Sequence, residues 1–191
     1  MKLGIMQPYF FPYSQQFRHI GQCDLWIIFD TPKFTRKTWI SRNRISDVTN
    51  EFSYINVPVV KGSTQLPISE AMVQGQEWVG KLFDSLRVYA HIAPFYNETI
   101  KFIESSLDNL LIDISVSELN THLLRAIARH LGIQTEIQQL SKLGLNLPAR
   151  AAPGEWACLI SKEMGADIYS NAPGGRHLFD PEYYARNNIL L

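Results

Sequence analysis

Two apolar runs near the N-terminus constrain this chain more than any other feature. Leu3-Gly4-Ile5-Met6 stops at Gln7, and Leu25-Trp26-Ile27-Ile28-Phe29 stops at Asp30. Between them Tyr13, Phe17 and Ile20 recur at helical spacing, and Gly21 follows. Short runs that are apolar throughout suit strands buried on both faces, as in a parallel sheet. Strand (3–7), helix (13–22) and strand (24–29) therefore predict a compact βαβ unit, right-handed by the usual rule. The expected fold class is α/β, with a Rossmann-like, mainly parallel sheet.

The rest of the chain fits that plan. Residues 38–45 alternate Ile with polar groups, as a half-exposed strand does, and 52–60 read as another strand, so Asn43 to Phe52 would close a hairpin. Lys61 to Thr64 read as a loop. Trp78, Leu82, Leu86 and Tyr89 mark a helix over 76–90, broken by His91–Pro94. Amphipathic helices follow over 96–111 and 116–131, the second capped by Gly132. A short strand at Thr135–Ile137, a helix from Gly154 to Met164 ended by Gly165, and a strand at Asp167–Ser170 complete the pattern. The expected organisation is one α/β domain over 1–191, with a mostly helical insertion or subdomain at about 65–130.

Composition excludes several classes. The 18 Lys and Arg balance the 18 Asp and Glu, so no global field draws nucleic acid or membrane. Cys23 and Cys158 follow no metal spacing and read as core hydrophobes in a reducing compartment, a disulfide between them being the alternative. The N-terminal segment is no signal peptide, and no run of about 18 apolar residues occurs, so the expected location is cytoplasmic. There is no His-x-x-x-His, no Cys-x-x-Cys and no Ser nucleophile elbow. Metal sites, zinc hydrolases and α/β-hydrolases therefore have no support.

The loops after the strands carry the candidate chemistry. In a parallel sheet every strand ends at one edge, so Gln7–Tyr13, Asp30–Trp39, Leu140–Leu147 (with Ser141) and Asn171–Arg176 are expected to converge. Gln7, Tyr9 and Tyr13 offer an amide and hydroxyls to a sugar or carbonyl; Phe10 and Phe11 read as core. Asp30, delivered by a buried strand, is the leading candidate for a general base, its other reading being a cap or an ion pair with Lys37 or Arg42. His177 is second; His19 and His91 read as structural, and His122 and His130, eight residues apart on one helix, do not suit a joint metal site. Gly174 and Gly175 permit positive φ, so that backbone N–H groups and Arg176 would face an anion. From Lys33 to Arg44 five cations fall in twelve residues (Lys33, Arg36, Lys37, Arg42, Arg44), with Trp39 and Asn43 among them. Such a segment suits a nucleoside diphosphate sugar or another phosphate-bearing small molecule, and it also suits RNA.

Met6-Gln7-Pro8-Tyr9-Phe10-Phe11-Pro12-Tyr13, Trp39-Ile40-Ser41-Arg42-Asn43-Arg44-Ile45, and Gly165-Ala166-Asp167-Ile168-Tyr169 followed by Gly174-Gly175 resemble the WbqC-like protein family. Trp78, Tyr89 and Pro94-Phe95-Tyr96 fit the same pattern, so the resemblance spans essentially the whole chain. It implies a bacterial setting in cell-surface polysaccharide (O-antigen) biosynthesis, close to amino-deoxy sugars, and a transferase that attaches an amino-acyl or acyl group to a sugar amine. An activated acyl or aminoacyl donor is then required, with aminoacyl-tRNA and a carrier protein both open as its source. A looser likeness is to nucleotidylyl transferases of the HUP class, such as pantothenate synthetase. Those enzymes place two histidines in the first loop where this chain has Phe11 and Tyr13. That departure leaves the fold standing and disfavours adenylyl transfer; a nucleotide-binding relative and a non-catalytic partner of a pathway enzyme are the alternatives to a transferase.

Overall fold

The computed structural model of this protein describes residues 1–46, 51–108, 110 and 113–191. The chain forms two compact units: Met1–Gln7, Tyr13–Asp30 and Ala128–Leu191 make the first, and Pro8–Pro12 with Thr31–Ile127 makes the second.

The first unit is built on four parallel strands: β1 (Lys2–Met6), β2 (Leu25–Ile28), β5 (Glu136–Gln139) and β6 (Ile168–Ser170). They lie in the order β5-β2-β1-β6. Numbered by their sequence within this sheet, that order is 3-2-1-4, the first four strands of the Rossmann order. The fold is thus α/β and Rossmann-like, as the apolar runs predict. Helices α1 (Ser14–Ile20), α5 (Glu155–Glu163) and α6 (Pro181–Arg186) accompany the sheet. Leu3, Ile5, Leu25 and Ile27 point to one face, where Cys158 and Ile160 of α5 and Tyr184 of α6 complete a core. Both cysteines are free and buried, as expected of core residues. Tyr184 stacks on Tyr169 at 5.7 Å and donates its hydroxyl to the Gly154 carbonyl at 2.9 Å. Gly4 and Trp26 are neighbours in register, and the indole lies so close that a Cβ at position 4 would meet its Cε3 at 2.3 Å.

The second unit holds the hairpin β3 (Arg42–Ser46) and β4 (Phe52–Asn56), helices α2 (Glu77–Leu86) and α3 (Tyr96–Leu107), and most of α4 (Val116–His130). The strands pair antiparallel, Ser46 opposite Phe52; their connection lies outside the described residues. Ser115 and Glu118 form a capping box at the start of α4, each backbone N–H donating to the other's side chain at 3.2 Å. One core gathers Ile45, Ile55, Trp78, Leu82, Ile103, Leu107, Leu119 and Leu123 around Phe10. A second packs Phe34, Ile40, Val59, Ile68, Ala71 and Val116, with Tyr9 against it.

The structure corrects four expectations. β3 begins at Arg42 rather than at residue 38, because Thr38 donates its hydroxyl to the Thr35 carbonyl at 2.9 Å and Lys37 takes φ 59°, which turns the chain. The helix expected over 76–90 stops at Leu86 and tightens into a 3-10 turn, Arg87–Tyr89. The sharp loop expected after β6 is a 3-10 turn over Pro173–Leu178. Of the helix expected over 96–111, the part beyond Leu107 is not helical where it is described, and residues 109 and 111 lie outside the described residues.

Candidate functional site

In the first unit the register aligns Met6 with Ile28 and Ile28 with Gln139, so all four strands end at one edge. Gln7 follows β1, Asp30 follows β2, Ser141 follows β5, and Gly174, Gly175, Arg176 and His177 follow β6. The order of the strands reverses between β1 and β6, so a topological switch point lies there, flanked by Gln7 and by the turn Pro173–Leu178. Open α/β sheets bind ligands at such a point.

Asp30 is fully buried at this edge. One carboxylate oxygen accepts the Ser141 N–H at 3.0 Å; the other accepts the Ser141 hydroxyl at 2.8 Å and the Gln139 amide at 3.4 Å. The carboxylate therefore holds the 3-10 turn Leu140–Lys142 against the end of β2. Arg176 and His177 are exposed, and Gln7 is half-buried. The glycine pair works differently from the expectation. Neither Gly174 nor Gly175 has a positive φ, and the Gly175 N–H donates to the Ala172 carbonyl at 3.0 Å, so it does not face an anion. What position 175 requires is room: a Cβ there would meet the Asn171 amide nitrogen at 2.3 Å. Tyr13, also in this unit, precedes α1 and is 59% exposed, off the face formed by Phe17 and Ile20. His19 lies edge-on to Trp26 at 5.1 Å and bonds the Ser170 hydroxyl at 3.0 Å. Burial, with the charge of Lys2 as the lesser cause, holds its pKa below the usual histidine range.

The second unit takes Tyr9, Lys37, Trp39, Arg42 and Asn43. The Asn43 amide donates to the Phe10 carbonyl at 3.0 Å and to that of Phe11, and its oxygen accepts the Arg44 N–H at 2.7 Å. Asn43 thus pins the aromatic loop, whose Phe11 sits at φ 44°. Asn120, on α4, donates to the Pro8 carbonyl at 2.8 Å and the Ile40 carbonyl at 2.7 Å. The stiff aromatic loop is therefore a packed element of this unit, with Phe10 buried in its core.

The hairpin's two faces differ. Asn43, Ile45 and Ile55 share the inner one, where both isoleucines enter the core; Arg42, Arg44, Phe52, Tyr54 and Asn56 share the outer one. On the outer face the Arg42 guanidinium lies 4.2 Å from the Tyr54 ring. That of Arg44 lies 4.1 Å from Phe52, 5.2 Å from Trp39 and 5.6 Å from Tyr54. Beside them opens a cleft of about 750 Å³ between β4 and α2, bordered by Tyr54, Asn56, Gln74, Glu77, Lys81 and Asp84. Sequence reasoning counted Arg44 only as a charge and left out Tyr54. The signal was the alternation Phe52-Ser53-Tyr54-Ile55-Asn56, which sets the rings opposite the buried isoleucine.

A family model described as the WbqC-like protein family matches residues 7–191. The chain belongs to that family. An uncharacterized protein of Mycobacterium tuberculosis (strain ATCC 25618 / H37Rv), Rv1507c, is 31% identical over 198 residues, an alignment that covers all of this chain and 80% of that protein. No solved structure matches. The WbqC-like membership agrees with the resemblance carried by the aromatic loop and by the Trp39–Ile45 motif. Among the described residues of this WbqC-like chain no helix is long and apolar enough to cross a membrane, and no cluster of three or more His, Cys, Asp or Glu is placed to hold a metal.

Proposed function

We propose that this protein is a transferase that acylates or amino-acylates the amine of an activated sugar during bacterial surface-polysaccharide synthesis. The observation that carries the reading is the switch point between β1 and β6 in a member of the WbqC-like family. A nucleoside diphosphate sugar would lie across it, with Arg176 on its phosphates and Gln7 on the sugar. In the reaction the sugar nitrogen attacks the donor's carbonyl carbon, a C–N bond forms, and the bond to the donor's carrier breaks. The amine's proton passes to a base, and the carrier leaves with a proton. His177, exposed on the turn after β6, is the group this reading assigns to that proton. Asp30 holds the Leu140–Lys142 turn in place.

Calorimetric titration with a panel of nucleoside diphosphate amino sugars tests the binding step. Arg176→Ala should weaken the best ligand about 10–100-fold, the scale of a charged hydrogen bond. Once a donor and acceptor are paired, His177→Ala should slow single-turnover acylation by about 10²-fold or more. Saturation by ATP with Mg²⁺ and by none of the amino sugars would instead favour a nucleotidylyl-transferase-like protein. A normal rate in His177→Ala would remove it as the base.

A further inference from the structure

We propose that the outer face of the β3–β4 hairpin and the adjoining cleft bind the unpaired end of an RNA. Three rings stand exposed on or beside this face: Trp39 at 40%, Phe52 at 51% and Tyr54 at 37%. Isolated exposed rings are ordinary, but three in one patch interleaved with two guanidiniums are not. Bases stack on aromatic rings and on guanidinium planes alike, and sheet faces of this kind hold two or three unstacked bases.

The charge is local. Lys33 to Ser46 contains five cations and no acid, while the whole chain balances at zero. Neither Arg42 nor Arg44 forms an ion pair among the described residues, and Arg42 Nε is shielded from solvent with no hydrogen-bond partner there. Five strand residues span roughly 17 Å, so the platform suits a short single strand rather than a duplex, whose recognition runs over a longer backbone track. Tyr54 and Asn56 belong to both the platform and the cleft. At about 750 Å³ that cleft lies within the range that accepts a whole small ligand. It has room for the last nucleoside and a group esterified to it, with Glu77, Asp84 and Lys81 at its border. The binding face stands on these observations alone; naming the RNA as the carrier of the acyl donor rests on the transferase reading.

Fluorescence anisotropy with a labelled RNA hairpin bearing a four-nucleotide 3′ overhang provides the test. The overhang RNA should bind at least about tenfold more tightly than the same hairpin made blunt, and more tightly than single-stranded DNA of the overhang sequence. Trp39→Ala and Tyr54→Ala should each weaken it about 5–100-fold. With three phosphates contacted, log affinity should fall with log salt at a slope of about −2, reduced in Arg44→Gln. Urea midpoints of the variants should match the parent, since these side chains are exposed. Equal affinity for blunt and overhang RNA, equal affinity for the DNA, or unchanged binding in both ring variants would overturn the proposal. The probe RNA carries no acyl group and no sugar nucleotide, so its failure is separate from a failure of the transferase reading, which the amino-sugar titration reads.

Discussion

Asn120 is where one side chain decides most about the second unit. It is 1% exposed, and its amide donates to two backbone carbonyls, Pro8 at 2.8 Å and Ile40 at 2.7 Å. Asn120→Ala strands both carbonyls. Each buried acceptor left without a donor costs about 1–3 kcal/mol. Against this, the Asn120 oxygen has no partner among the described residues, so removing it returns roughly 1 kcal/mol. The net expectation is a loss of about 1–5 kcal/mol, or about 2–20 °C in Tm for a chain of this size. Ser161→Ala is the matched control. Its hydroxyl is equally buried but unpartnered, so its removal should be neutral or slightly stabilising. Urea unfolding followed by tryptophan fluorescence reads both variants. If Asn120→Ala and Ser161→Ala move the midpoint alike, the hydrogen bonds to Pro8 and Ile40 are not what holds the aromatic loop, and the argument fails.

Other outcomes follow from the first unit. Gly4→Ala places a Cβ 2.3 Å from the Trp26 ring and 2.9 Å from the Cys23 sulfur, both buried, so overpacking should cost about 1–3 kcal/mol; an unchanged urea midpoint would show that the ring can move aside. His19 has a folded pKa below its ordinary 6.5, so near and below that value the unfolded chain binds more protons. Its contribution to stability is therefore full above pH 6.5 and falls as pH drops, and His19→Gln should flatten the rise in stability between pH 5 and 8. Burial pushes the Cys23 thiol up to about 11, so native protein at pH 8 should resist iodoacetamide at this position while urea-unfolded protein reacts; mass spectrometry after a timed quench decides.

What the sequence disclosed and what it hid divide along a physical line. β1 and β2 were legible because strands buried on both faces are written as unbroken apolar runs. Gly132 and Gly165 were legible as helix ends because both take the left-handed φ that favours glycine, +73° and +66°. The short helix α6 went unread although its start is written locally: Asp180 accepts the Glu182 N–H at 3.0 Å and Pro181 opens the first turn. Six residues are too few for periodicity to register. The division of the first loop was beyond local reading. Gln7 and Tyr13 stay with the parallel sheet while Pro8–Pro12 joins the other unit, held by Asn43 and by Asn120, which is 112 residues further along than Pro8. Of the glycine pair, only Gly175 stands close to Asn171, and spacing along a chain says nothing of what lies beside it.

The 3-2-1-4 strand order also sets a timetable for synthesis. β1 is an inner strand, and the neighbour on one of its sides, β6, is encoded roughly 160 residues later. At about 5–20 residues per second, β1 waits roughly 8–30 s on the ribosome with an apolar strand edge unpaired. Phe10 meets a similar delay, because its core partners Leu119 and Leu123 emerge more than a hundred residues after it. Within this chain, β1 and Phe10 are made well before the residues that cover them. For the nascent chain, the hazard lies in β1 and the aromatic loop, and slowing elongation would lengthen the exposure rather than relieve it.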